Sequence, residues 1–195
     1  MNPLQIFIDA PKFLDLVADE AEKNNETARQ FFQGLTEEQL NWKPDAQQWS
    51  IAQCLEHLTV ATQEFDKYFV ATLERARKKP PAANPPSYRP TLMGGWLAKQ
   101  VAPEAARKLP APKIFRPADA SNIRDSLQMF LDRHIKFVDF VRQCAGIDYN
   151  RARLRSPVTP LLRYSLADAF VITVLHGQRH LAQANRVKTT GNFPN

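Results

Sequence analysis

The chain of 195 residues is short of glycine, cysteine and histidine, and it has no long apolar run. Six glycines are too few for a turn-dense β architecture. The two cysteines, Cys54 and Cys144, lie in helix-like, partly apolar surroundings. Their spacing argues for no disulfide, and the expectation is two reduced, buried thiols. The longest apolar stretch, "AFVITVL" from Ala169 to Leu175, is far too short to cross a bilayer. The opening "MNPLQIFIDA" has no basic segment ahead of an apolar one, so it does not read as a signal peptide. These absences lead to the expectation of a cytoplasmic protein.

What is present suits one globular domain over residues 1–195. The 26 basic and 20 acidic residues leave a formal net charge of +6. The basic residues fall in separate groups, however. "RARKK" (Arg75 to Lys79) closes a helical segment, where positive charge suits the helix dipole, and "RARLR" (Arg151 to Arg155) sits in a connection. Both read as solvated surface, and a nucleic-acid partner is not expected.

Four long segments carry helical periodicity. The first runs from about Pro11 to Leu35, with Asp9 placed to cap it and Gly34 near its end. The second runs from about Ile51 to Lys79, where Ser50 and Gln53 make a capping box and Pro80 and Pro81 stop the helix. The third runs from about Asn122 to Ala145, with Ser121 as cap and Gly146 as stop. The fourth runs from about Leu166 to Thr190, with Ser165 and Asp168 as a second capping box. "TEEQ" suggests a helical turn, and "TLMGGWLAKQVA" a short helix within the long Pro80 to Ala120 connection. Ile147 to Tyr164 reads as irregular, and no strand alternation is evident. The fold expected is all-α, a four-helix bundle whose sites face its interior.

Half of the four histidines fall in "HGQRHLAQ", as His176 and His180. With Leu166 at zero and about 100 degrees per residue, they fall near about 280 and 320 degrees, on the flank of the apolar stripe. Four residues apart, they stack one turn above each other and can share one ion. His57, in "CLEHLTV", falls near about 240 degrees from Ile51 by the same count, on a groove-facing flank that is not buried. A groove between the second and fourth segments would bring three imidazoles together and leave a fourth position open. The alternative is an incidental pair, with His57 bonded to a backbone carbonyl. "HGQRH" also lacks the glutamate of the H-E-x-x-H metalloprotease helix.

"WSIAQCLEHL" (Trp49 to Leu58), followed by "HGQRHLAQ" more than a hundred residues later, resembles the DinB/YfiT-like superfamily over nearly the whole chain. The resemblance implies an up-down-down-up four-helix bundle and a divalent ion, zinc or nickel, held by His57, His176 and His180. It also implies a homodimer, and thiol-dependent transfer or hydrolysis of a small-molecule substrate, with a low-molecular-weight thiol as co-substrate.

Other residues are candidates for the same site. Gln53 is either the cap partner of Ser50 or a pocket residue. Trp49 either anchors the helix entrance or walls the pocket. Arg179 either pairs with Asp168 or Glu56, or binds an anionic group. Gln183 is placed to orient an imidazole. His134 falls in the middle of its apolar stripe, as a hydrogen-bonded core residue or as a base or fourth ligand. Glu56 is a weaker proton-transfer candidate, as are Glu64 and Tyr68. The missing glutamate tilts the chemistry toward a thiol, which needs less help from a base. Against an enzyme stand a non-catalytic bundle that binds metal or a partner, and a nucleic-acid binder.

Overall fold

The computed structural model describes residues 2–8, 10–82, 86–105, 110–118, 123–159 and 161–194. Its helices begin where side chains satisfy the first free amides. Ser50 accepts from Gln53 N at 3.1 Å while the Gln53 side chain accepts from Ser50 N, which opens helix α3 (Ile51–Arg77). Ser165 and Asp168 do the same for α6 (Leu166–Lys188). Thr36 and Gln39 form a third such box at the short α2 (Glu37–Asn41), the turn expected at "TEEQ".

Helix α1 spans Phe13–Phe32 and has Lys12 at its cap, without a side-chain bond. The expected cap, Asp9, lies outside the described residues. Helix α4 spans Leu92–Val101, within the "TLMGGWLAKQVA" stretch. Helix α5 spans Ser126–Gln143, several residues later than the expected start near Asn122. Asp125 precedes it in the left-handed region with φ 52°, which breaks the helix at that point. The expected cap Ser121 lies outside the described residues.

The four long helices pack in the cyclic order α1, α5, α3, α6. This is a helical bundle, as expected. One core cluster centres on Phe13, Phe69, Phe137 and Phe170, and a second on Phe32, Leu55, Phe130 and Leu181. The hydrophobic stripes read from the sequence therefore do face inward.

The stretch expected to be irregular carries a small antiparallel pair, β1 (Arg153–Arg155) and β2 (Arg163–Ser165). Leu154 faces Tyr164 across the ladder, and both are buried. Each strand has three residues, too few for alternation to stand out in sequence. The long connection folds back on the bundle in two places. Helix α4 packs on α6 and β2, and a single 3₁₀ turn at Lys113–Phe115 packs on α3.

Candidate metal centre

Three elements converge at one point: the start of α3, the middle of α6 and the segment after the 3₁₀ turn. His57 lies on α3, about two turns beyond the Ser50 cap. His176 and His180 lie one turn apart on α6. The three ring centroids are 4.5 to 4.9 Å from one another. One ligand atom from each falls within 4.8 Å of the others.

His57 is 2% exposed, which corrects the expectation of an unburied flank. Phasing a helix against its own stripe cannot see a distant segment laid over it. Here residues 115–118 supply that cover. His57 Nδ1 donates to the Phe115 carbonyl at 2.5 Å. Glu56 Oε2 accepts from Ala118 N at 2.7 Å, and Gln53 Nε2 donates to the Ala118 carbonyl at 3.2 Å. Three polar side chains of α3, Gln53, Glu56 and His57, thus grip one short run of backbone.

The Phe115 bond decides the tautomer of His57. A carbonyl oxygen only accepts, so Nδ1 carries the proton and Nε2 presents its lone pair. That lone pair points at His176 Nε2, 3.1 Å away. Two nitrogens each about 2 Å from a tetrahedral ion lie about 3.3 Å apart, so this separation suits a shared cation. A ligating imidazole that donates its other nitrogen to a carbonyl is the usual supporting arrangement. His180 Nδ1 is buried with no hydrogen-bond partner, and the nearby Gln183 side chain partly opposes the fall of that ring's pKa. The donor set is thus three imidazoles with an orphaned nitrogen, and it fits a divalent transition metal.

Burial holds all three imidazoles neutral. It depresses the pKa of His57 despite the opposing Phe115 bond. It depresses His176 well below the usual value, helped by the neighbouring His180 and His57. His180 is pushed down to about 3, chiefly by burial and then by His57 and Arg179. Neutral imidazoles are ligands, whereas imidazolium is not.

The remaining candidates fall around this cluster in different ways. Trp49 stacks on His180 with ring centroids 5.8 Å apart, and lies 4.9 Å from His57. It walls the cluster on one side. Arg179 donates to the carbonyl of Ala102 at 2.9 Å, just beyond α4. Gln53 has both ends of its amide engaged, in the cap and at Ala118. Glu56 is held at Ala118 through one oxygen.

His134 is 1% exposed and is not part of the three-histidine group. It packs on Phe130 with ring centroids 4.1 Å apart, and neither of its nitrogens has a partner. Burial pushes its pKa down to about 3. The hydrogen bonds expected of a core histidine are not made among the described residues.

Two further residues of the site carry no signal in the sequence. Phe115 contributes through its carbonyl, which every residue type carries, so no side-chain pattern marks it. Asn24 of α1 is buried and donates to the Val174 carbonyl at 3.0 Å, against the face of α6 that carries Gly177.

A helical bundle with three inward histidines on two adjacent helices defines a class of protein whose side chains could hold a metal ion. Within that class the chain belongs to the DinB superfamily, whose sequence model matches residues 20–184. That span holds all three histidines and the four long helices except the ends of α1 and α6. No curated protein and no solved structure matches the chain. Among the described residues no helix is long and apolar enough to cross a membrane.

Proposed function

We propose that His57, His176 and His180 hold one divalent transition metal, zinc or nickel, in a metal-dependent enzyme that transfers a small thiol or hydrolyses a small molecule. The observation that carries this reading is the His57 lone pair, fixed by the Phe115 carbonyl and aimed at His176 Nε2 3.1 Å away. When bound, the ion would lower the pKa of a coordinated thiol or water and so supply a nucleophile at neutral pH.

The chain's own residues do the rest. Three neutral ligands leave the ion's double charge uncompensated, so the site favours an anionic form of whatever it takes up. Trp49 gives that site an apolar wall and limits water on one side. Arg179 sets a fixed positive charge beside His176 and His180, suited to an anionic group on the substrate. Glu56 keeps Oε1 outside its bond to Ala118 and is the nearer proton carrier in sequence. His134, with a pKa near 3, is a poor base at neutral pH, so we assign it a supporting place in the core behind α6. Gln53 acts through the segment it holds. A thiol fits this inventory better than water, because it loses its proton with less assistance. A cytoplasmic homodimer completes the proposal.

Metal analysis of the purified protein tests the site. Near-stoichiometric zinc or nickel is expected in the wild type, and its loss in His176→Ala. Unchanged metal content in that variant would sink the three-histidine site. A thermal-shift screen of low-molecular-weight thiols on the metal-loaded protein then tests the substrate class. A stabilisation by thiols that is absent in His176→Ala is expected, and no shift with any thiol would overturn the thiol reading.

A further inference from the structure

The hairpin ahead of α6 carries an unusual concentration of charge. Arg155 stands directly opposite Arg163 across the ladder, and Arg153 lies two residues along on the same face. All three are exposed. Arg75 joins them, since its guanidinium donates to the Arg153 carbonyl at 3.4 Å. None of these four takes part in an ion pair among the described residues. Like charges placed opposite each other on a ladder destabilise it. The pairing therefore works against the fold and calls for an anion from outside.

Large apolar side chains sit at the same end of the bundle. Asp168 accepts both from Ser165 N, at the end of β2, and from Thr91 N and Oγ1, at the start of α4. The two elements are thus joined through one carboxylate. Leu92, next to Thr91, is 97% exposed, and Trp96, one turn on along the same face, is 53% exposed. Leu161, two residues before Arg163, is 93% exposed.

We propose that this end of the bundle is a docking surface for an anionic lipid bilayer, with the arginines on the headgroup phosphates and Leu92, Trp96 and Leu161 entering the interface. The mixture of side chains selects this partner. Exposed leucines contribute little on a nucleic-acid backbone, where most contacts are to phosphate and sugar. A second copy of the chain meeting this surface about a two-fold axis would set arginine against arginine. A bilayer surface offers phosphates for the arginines, an interfacial depth that suits tryptophan, and hydrocarbon for the leucines.

Vesicle co-sedimentation tests this on the full chain. The wild type should pellet with vesicles of equimolar phosphatidylcholine and phosphatidylglycerol, and not with phosphatidylcholine alone. Each arginine near an anionic surface contributes about fivefold, so the triple variant Arg153→Ala, Arg155→Ala, Arg163→Ala should bind roughly a hundredfold more weakly. Leu92→Ser with Leu161→Ser should lose binding to the same vesicles at unchanged net charge. These side chains are on the surface, and unchanged circular dichroism would confirm that the variants fold. Raising the salt on the wild type provides a reading that needs no variant: binding should fall. Failure of the wild type to pellet with the charged vesicles overturns the proposal. So does binding to a short DNA duplex that the arginine variant loses and the leucine variant keeps. A dimer in sedimentation velocity that Leu92→Ser dissolves would assign the surface to a second copy instead, and would overturn it equally.

Discussion

The amide of Asn24 lies against Gly177, so close that a Cβ on Gly177 would meet Asn24 Nδ2 at 2.6 Å. Position 177 is where a zinc-protease helix carries its glutamate. Here a side chain from α1 occupies that space and donates to the Val174 carbonyl of α6. Gly177→Ala must push Asn24 off that carbonyl, and overpacking of this kind costs about 1 to 3 kcal/mol. A urea melt should show the lower midpoint. Shortening the amide in the double variant Gly177→Ala, Asn24→Ala should recover part of the loss.

The buried histidines make the metal-free protein sensitive to acid. For His134 the folded pKa is about 3, against about 6.5 in the unfolded chain. The unfolded state therefore binds the extra proton throughout that window. Stability from this group is complete above about pH 6.5 and is lost as pH falls toward 3, with about 2 kcal/mol gone at about pH 5. His57, His176 and His180 act in the same direction. Denaturant midpoints measured with a chelator present should fall steeply below about pH 6.5. The slope should be shallower in His134→Leu.

Asp168 should be among the most sensitive positions. Its buried carboxylate accepts from Tyr88 Oη at 2.9 Å, from Thr91 N and Oγ1, and from Ser165 N. Removing it strands several donors at once, so Asp168→Ala should cost about 3 kcal/mol or more. Gly94 lies over the same group, and a Cβ there would meet Asp168 Cγ at 2.1 Å. Gly94→Ala should drive α4 and the Asp168 carboxylate apart, and so weaken the bonds that Thr91 makes to it. Hydrogen exchange across residues 92–101 checks both.

Trp49 should report on metal binding. Its ring lies 5.8 Å from that of His180 and 4.9 Å from that of His57. Nickel or cobalt at the three histidines should quench part of the tryptophan fluorescence, with zinc as the unquenched control. Trp49→Phe should abolish that change while Trp42 and Trp96 still emit.

The parts of this structure legible in the sequence were those set by local rules. Ser50 with Gln53 and Ser165 with Asp168 marked the starts of α3 and α6 because capping is a contact between neighbours in sequence. The four-residue spacing of His176 and His180 placed both on one face for the same reason. The burial of His57 depended on residues some sixty positions away and could not be phased from α3 alone. Leu154 opposite Tyr164 escaped notice because three-residue strands offer too little pattern. The place of His134 in its apolar stripe marks it as inward-facing, but its lack of partners depends on what the other helices bring around it.

The grip of Gln53, Glu56 and His57 on residues 115–118 has a thermodynamic consequence. Any ion affinity measured at this centre includes the free energy of seating a loop, because the bonds that orient His57 are also the bonds that fix that loop. Ion uptake and loop order are linked functions. A substitution confined to residues 115–118 can therefore weaken ion binding without touching a ligand. Adding the ion should in turn slow backbone exchange at Ala118, whose amide is bonded to Glu56 rather than to any imidazole.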